Sequence, residues 1–340
     1  MPSPLPPPTV IREVSLTELA ANPNHWLLED APWVVRGLGA SWPLVKAAQN
    51  SNAEAAALLK DHDSGHGITA FLCEAEHRGR FFYNEALDGF NFVQVKTRLS
   101  QVVDKLIALV DTPDPAGLYV GSTQLTGWLP GLGESLSLPF ELNNPLVSLW
   151  LGNASRIAAH FDYPRNLACC VMGRRKFTVF PPEQVGNLYI GPWDLTPAGQ
   201  PISLVDFHDP DIDRFPRFPE AWQAATMTEL EPGDAIYLPG MWWHHVEGTE
   251  SMNGLINYWW SETPPVYGSP ADVFQHGLLS IKQLPAAQKR AWQALFDQYL
   301  FAENDEHLQH IPRSRRGTLD AIDEPAARQL RAELINRLKR

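Results

Sequence analysis

His160-Phe161-Asp162 and Pro239-Gly240-Met241-Trp242-Trp243-His244-His245-Val246 are the two stretches that decide how this chain is read. On a β-strand, residues i and i+2 share a face. An H-x-D tripeptide on a strand therefore aims an imidazole and a carboxylate at one point. The second stretch follows Glu231-Pro232-Gly233-Asp234-Ala235, a tight turn, and the strand-like run Ile236-Tyr237-Leu238. It offers a second imidazole. Two His and one carboxylate on one face of an ion leave the opposite positions open, which is the ligand set of non-haem Fe(II) oxygenases. H-x-D alone is a common tripeptide, and a His after a Trp pair is more often a packed, hydrogen-bonded residue. The weight lies in the order: H-x-D, a run of strands, a Pro-Gly-Asp turn, then W-W-H.

The surroundings of these stretches are strand-like. From Gly117 to about Ser261, short apolar runs are broken by Gly, Pro and Asn. They include Leu118-Tyr119-Val120, Val147 to Leu151, Leu167 to Met172, Phe177 to Phe180, Ala235 to Leu238 and Gly254 to Trp260. Many short strands with turn signals between them predict a mainly β sandwich or barrel. Upstream, Ser15 to Ala21 reads as a capped helix, Trp33-Val34-Val35 as a strand and Ala53 to Asp61 as a helix. Phe71 to Glu74 and Arg80 to Tyr83 read as a hairpin closed by a charged turn. Leu99 to Val110 has helical spacing and ends before Pro113 and Pro115. Downstream, Ala271 to Ser280, Ala286 to Phe301 and Pro325 to Lys339 read as helices, with the basic loop Arg313 to Gly317 before the last. Four regions follow: a Pro-rich tail at 1–9, extended or disordered; a mixed α/β part at 10–116 that supports the barrel; the β domain at 117–265; and C-terminal helices at 266–340.

Composition narrows the class. The 340-residue chain is 44% hydrophobic with 12 Trp and 15 Phe, as expected of a packed globular core. Its formal charge of -12 makes nucleic acid a poor partner. Cys73, Cys169 and Cys170 form no disulfide framework and suit a reducing compartment. The N-terminus lacks a signal peptide's basic and apolar regions, and no run of about 18 apolar residues is present. The expectation is a soluble, cytoplasmic protein with no membrane contact. Neither G-x-S-x-G nor a Gly-rich phosphate loop occurs.

Residues 160–260 resemble the cupin-like JmjC hydroxylases, most of all the asparaginyl hydroxylase that inhibits hypoxia-inducible factor. The pieces that carry the resemblance are HFD with Asn166 after it, Gly173 to Lys176 leading into Phe180-Pro181-Pro182, VDFHDPDIDRFPRF at 205–218, EPGDAIYLP at 231–239, MWWHHVE at 241–247, and Asn257-Tyr258-Trp259. PWVVRGL at 32–38 and Leu118-Tyr119-Val120 match upstream strands, so the likeness spans roughly residues 30–265. It implies a double-stranded β-helix, or jelly roll, with flanking helices. It further implies Fe(II), 2-oxoglutarate as cosubstrate, O2, and hydroxylation with release of succinate and CO2.

Carried over residue by residue, the resemblance makes His160, Asp162 and His244 the iron ligands. His245 would then point to the other face of its strand. Tyr119, Asn166 and Asn257 match positions that bind the cosubstrate or line its pocket. The family's Lys for the far carboxylate of 2-oxoglutarate is replaced by Arg175, with Lys176 beside it; neighbours on a strand face opposite ways, so only one can enter. A hydroxyl residue expected three before the first His is replaced by Ile157, with Ser155 nearby and a local insertion implied. Gln200-Pro201-Ile202 does not reproduce the relatives' polar substrate contacts, so an asparaginyl substrate is not inherited. The substrate is a protein side chain, a peptide or a small molecule. The relatives' dimerisation helices correspond to a segment in which Phe274, Leu278, Leu279, Trp292, Leu295, Phe296 and Tyr299 give apolar faces, which implies a homodimer.

Two other classes compete. The departures at Ile157 and Arg175 suit a cupin-type metal protein or enzyme that does not use 2-oxoglutarate. A catalytically inactive JmjC-fold interaction module is the other, and the intact His160, Asp162 and His244 speak against it. Without histone-reader or zinc modules, side-chain hydroxylation is a better expectation than demethylation.

Overall fold

The computed structural model describes residues 5–339. They divide into two compact units, one reaching to Ser261 and one running from Glu262. Among the described residues, no helix is long and apolar enough to cross a membrane.

The first unit holds fourteen strands. In chain order they are β1 (Thr9–Val10), β2 (Trp33–Val35), β3 (Gly67–Cys73), β4 (Arg80–Phe81), β5 (Phe92–Arg98), β6 (Gly117–Gln124) and β7 (Leu146–Gly152). They continue as β8 (Ser155–His160), β9 (Arg165–Met172), β10 (Arg175–Phe180), β11 (Thr226–Leu230), β12 (Ala235–Leu238), β13 (Trp243–Gly248) and β14 (Asn253–Trp260). One sheet has the order β1-β11-β10-β13-β8-β4 and the other β2-β12-β9-β14-β7-β6-β3-β5. The pairing is antiparallel except at two edges, β1 on β11 and β4 on β8. This is the expected jelly roll with flanking helices.

The strand pattern explains the two-layer core. Along β9, Leu167, Cys169 and Val171 face one way and Ala168 and Cys170 the other. The first set packs on the outer layer, where Leu44, Leu59, Val103 and Leu106 come from helices Pro43–Asn50, Asn52–Asp61 and Leu99–Leu109. The second set packs between the sheets with Phe177, Val246 and Leu255. A strand covered on both faces reads as a continuous apolar run rather than an alternating one. Burial pushes both Cys169 and Cys170 thiols up, the latter to about 12, so they are inert packing groups.

Local chemistry sets the helix ends. Ser15 caps Leu16–Ala21 through a capping box with Glu18. Leu99, Val102, Val103 and Leu106 form the buried stripe of Leu99–Leu109.

One sequence expectation is narrowed and two need correction. The Pro-rich tail lies outside the described residues only for 1–4. From Leu5 onward it is held: Trp222 Nε1 donates to the Pro6 carbonyl at 2.7 Å, and Thr9–Val10 pairs with β11.

The stretches around Phe71 and Arg80 do not form a hairpin. β3 pairs with β5 and β6 in the larger sheet, while β4 joins β8 in the smaller. The turn through Ala75–His77 ends in Arg78 (φ 49°) and Gly79 (φ 70°), which redirect the chain across the sandwich. A charged turn between two apolar runs looks the same in sequence either way.

Finally, Asp162 is not on a strand. β8 stops at His160, and Asp162 sits in the turn to β9. Its carbonyl accepts from the Met241 N–H at 2.7 Å, so this turn is tied to the one before β13. Gly240 permits the approach, since a Cβ there would lie 2.5 Å from the Tyr163 carbonyl oxygen.

The second unit carries helices Pro270–Ser280, Ala286–Tyr299 and Glu324–Leu338, with short 3-10 turns at Arg313–Arg315 and Gly317–Leu319 in the basic segment.

Candidate functional site

β8 and β13 are antiparallel neighbours in which His160 pairs with His244. Two residues farther along β13, Val246 pairs with Ile157, three back along β8. β8 therefore carries one extra residue, a bulge of the kind that re-aims side chains next to active sites. It occupies the place where the sequence implied an insertion before His160. The result is a cluster in which donor atoms of His160, Asp162 and His244 all lie within 4.8 Å of one another. His244 Nε2 is 3.6 Å from Asp162 Oδ2, and the two imidazole centroids are 4.3 Å apart.

Both imidazoles are oriented by backbone. His160 Nδ1 donates to the Ala158 carbonyl at 2.9 Å, and His244 Nδ1 donates to the Trp242 carbonyl at 3.0 Å. The tautomer this fixes leaves each Nε2 with its lone pair turned toward the cluster. Burial, with His160 next to it, lowers the His244 pKa to about 4 against the opposing pull of Asp162. His244 is thus neutral, as metal ligation requires. The donor set, two imidazoles and a carboxylate, fits a divalent transition metal.

A cavity of about 540 Å³ opens beside the cluster, between the two sheets. Tyr119, Asn166, Arg175 and Asn257 all line it. Lys176, the alternative to Arg175, does not. It points to the opposite face of β10, where its Nζ is 3.2 Å from Glu247 Oε1. The parity follows from register, Arg175 facing Gly248 and Lys176 facing Glu247.

Arg175 is fully buried; among the described residues no carboxylate pairs with it and none of its three guanidinium nitrogens makes a well-aligned hydrogen bond, the Tyr119 hydroxyl being its polar neighbour. A buried guanidinium left this way carries a large desolvation cost, which a carboxylate ligand would offset with a bidentate pair. Tyr119 stands beside it: burial raises the phenol's pKa and the Arg175 charge opposes that shift. Asn257 Nδ2 and Asn166 Oδ1 are buried without hydrogen-bond partners among the described residues. The orphaned polar atoms in the cavity therefore fit a small anionic, chelating ligand such as 2-oxoglutarate.

Ile157 lines the cavity where a hydroxyl was expected. Ser155 is buried, its hydroxyl has no partner, and it is not part of the lining. Gln200 and Ile202 line the cavity as well.

His245 turns away from the cluster. Its ring lies on Phe207 with centroids 4.6 Å apart, and its Nε2 is 3.6 Å from Glu247 Oε1. His208 Nε2 donates to Glu247 Oε2 at 2.5 Å. Burial alone would raise the pKa of Glu247; His208, His245 and Lys176 outweigh it and hold the carboxyl well below the usual range.

Sequence reasoning missed two features, one in the cavity and one outside its lining. Trp150 donates its indole N–H to Asn257 Oδ1 at 2.7 Å. The available signal was its place between Leu149 and Leu151, which face the outer core. Glu247 with His208 was the other, and no local pattern pairs residues 39 apart.

A family model described as a cupin-like domain matches residues 20–265. Lysine-specific demethylase 8 of Xenopus tropicalis is 24% identical over 261 residues, 74% of this chain and 53% of that protein. tRNA wybutosine-synthesizing protein 5 of Mus musculus is 26% identical over 178 residues, 49% of each. Lysine-specific demethylase JMJ31 of Arabidopsis thaliana is 30% identical over 115 residues, 34% of this chain and 20% of that protein. The chain thus spans between a fifth and about half of the length of these relatives. With a matching family model over most of its length, a jelly-roll fold and a His-Asp-His cluster between the sheets, the chain belongs to the cupin-like domain family of the JmjC type.

Proposed function

We propose that this chain is an Fe(II)- and 2-oxoglutarate-dependent oxygenase that hydroxylates a C–H bond of a protein side chain or small molecule, with release of succinate and CO2. The observation that carries the reading is Arg175, a fully buried guanidinium with no carboxylate partner among the described residues, in the same cavity as His160, Asp162 and His244. A metal cluster alone would suit any cupin-type metal protein. A metal cluster with an unpaired cation in its cavity calls for a chelating ligand with a second carboxylate.

In this reading His160, Asp162 and His244 hold Fe(II). Arg175 receives the far carboxylate of 2-oxoglutarate, and Tyr119 hydrogen-bonds beside it. Asn257 turns its Nδ2–H into the cavity because Trp150 occupies its Oδ1. Asn166 supplies the remaining polar edge. When bound, the metal and cosubstrate supply the oxidising chemistry with O2. The protein binds, orients and excludes water, and no protein nucleophile is needed. The relatives named as lysine demethylases and as a tRNA-modifying protein support oxidative chemistry of this kind without naming a substrate for this chain.

The test is anaerobic titration of Fe(II) and 2-oxoglutarate into apo-protein, followed by the visible metal-to-ligand charge-transfer band. The band is expected, and His160→Ala is expected to abolish it. Metal binding without a band would instead support a cupin-type metal protein that does not use 2-oxoglutarate, for which Ile157 is the motivating residue. Homodimerisation through the C-terminal helices belongs to the same proposal. In the second unit Phe274, Leu279, Trp292 and Leu295 are exposed, and a second copy would cover them. Sedimentation of the full chain as a monomer at micromolar concentration would exclude it.

A further inference from the structure

The cavity has an aromatic wall of which metal and cosubstrate leave Phe71, Phe81 and Phe92 unused. Phe71 on β3 is the cross-strand partner of Tyr119 on β6. Phe71 meets Phe92 edge-on at 5.5 Å between centroids, Phe92 meets Phe81 at 5.8 Å, and Phe81 meets Tyr119 at 5.6 Å. Tyr119 then meets Trp150 at 6.1 Å, and Trp150 meets Trp259 at 5.7 Å. All six rings line the cavity. They form one unbroken chain of aromatic contacts from β3 to β14.

The charge inventory of the same cavity is short. Among the described residues that line it, the only carboxylate is Asp162, the other groups that carry or can take a positive charge are His160, Arg175 and His244, and Tyr119 and Tyr163 add neutral phenols. Asp162 belongs to the metal cluster. With Fe(II) on that cluster and the 2-oxoglutarate dianion on Arg175, the charges of ion, Asp162, Arg175 and cosubstrate cancel. An ammonium or guanidinium entering the cavity would shed its water and find no counterion. An apolar group would instead gain by burial and by edge or face contact with the rings.

Building on the oxygenase reading, we propose that the group oxidised is uncharged and apolar, an aromatic or branched aliphatic side chain or a small molecule of that class. It seats on the wall of Phe71, Phe81 and Phe92, and cationic side chains are rejected. The rival occupant is a methylated ammonium held by cation–π attraction, for which aromatic faces are well suited.

The test uses the full chain loaded with zinc(II) and 2-oxoglutarate, so that no turnover occurs. The probes are the N-acetyl amides of phenylalanine, leucine, lysine and trimethyllysine, and binding is read by ligand-observed NMR. The phenylalanine and leucine amides are expected to bind at least roughly tenfold more tightly than the two cationic probes. In Phe71→Leu, the phenylalanine amide weakens more than the leucine amide. In Phe71→Glu, checked for fold by its zinc stoichiometry, the lysine amide gains and the phenylalanine amide loses. Equal or tighter binding of the trimethyllysine amide overturns the proposal in favour of a methylammonium cage, and binding of no probe overturns it outright. The charge-transfer band keeps the two readings apart. A band without apolar preference sinks this proposal alone; apolar preference without a band sinks the oxygenase reading and leaves only an apolar-selective cavity.

Discussion

Trp150 and Asn257 are locked in one orientation, the indole N–H of the first donating to Oδ1 of the second at 2.7 Å. An indole is only a donor, so Asn257 must present its oxygen to Trp150 and its amide hydrogens elsewhere. That other end, Nδ2, is buried and has no partner in the protein. Trp150→Phe keeps the ring and removes the donor, leaving Asn257 free to flip. The expected result is a 2-oxoglutarate affinity lower by roughly two- to tenfold, the worth of about one net hydrogen bond. Metal affinity should not change. Titration of zinc(II) into apo-protein measures the second and titration of 2-oxoglutarate into zinc-loaded protein the first, and an unchanged 2-oxoglutarate affinity would remove Trp150 from the site.

Arg175 makes a prediction with two opposite signs. Its guanidinium is fully buried, with no carboxylate beside it among the described residues. Replacing a buried, uncompensated charge with an apolar group of similar length removes its desolvation cost, a gain on the order of 1–4 kcal/mol. Arg175→Met should therefore unfold at higher temperature than the wild-type protein when both are free of ligand. The same variant should lose the further rise that zinc(II) with 2-oxoglutarate gives the wild type. Thermal unfolding with and without the pair reads both effects, and a ligand-induced rise that survives in Arg175→Met would mean that the far carboxylate is held elsewhere.

Glu247 predicts the acid side of the stability curve. The carboxyl is held well below its ordinary value of 4.5 by His208, His245 and Lys176, against the effect of burial. A folded-state pKa below the unfolded one means that the folded state keeps the proton off more strongly. The stabilisation is complete at pH above the unfolded carboxylate value and is lost as pH falls below it toward the folded value. Glu247→Gln should lower the urea midpoint at pH 7. The gap from wild type should narrow steadily below about pH 4.5. A gap that is constant down to acid pH would show that the pair contributes through packing and not through charge.

The clustering of His160, Asp162 and His244 was legible in the sequence because its parts are local. H-x-D, the Pro-Gly-Asp turn and W-W-H each sit within a few residues, and β13 next to β8 brings them together. The choice between Arg175 and Lys176 was not legible, because adjacent strand residues differ only in parity. Parity depends on register, here Arg175 against Gly248. Asp162 was read onto a strand because period-2 spacing does not show where a strand ends. Its turn is set by the contact of its carbonyl with Met241, far along the chain. Trp150 was hidden for a related reason, since its partner Asn257 lies 107 residues away.

Gly79 is where the chain crosses from the larger sheet to the smaller, and it predicts the largest effect on folding. Its φ of 70° lies in the left-handed region that glycine adopts freely and side-chain-bearing residues avoid. A Cβ at this position would lie 2.2 Å from the Ala154 carbonyl oxygen, which is backbone and cannot swing aside. The Gly79 carbonyl also accepts from the Arg156 N–H at 2.7 Å, so β4 is docked on β8 just beyond the turn. Gly79→Ala combines an unfavourable φ, about 1–2 kcal/mol, with a clash that must push β4 off β8. Phe81 would move with it, and Phe81 lines the cavity. The expected outcome is a loss of more than about 2 kcal/mol in urea unfolding together with weaker binding of apolar probes. The same substitution at Gly65, also at positive φ (76°) but with open space around it, should cost only the backbone strain. Equal losses at the two positions would show that the crossing at Gly79 tolerates displacement.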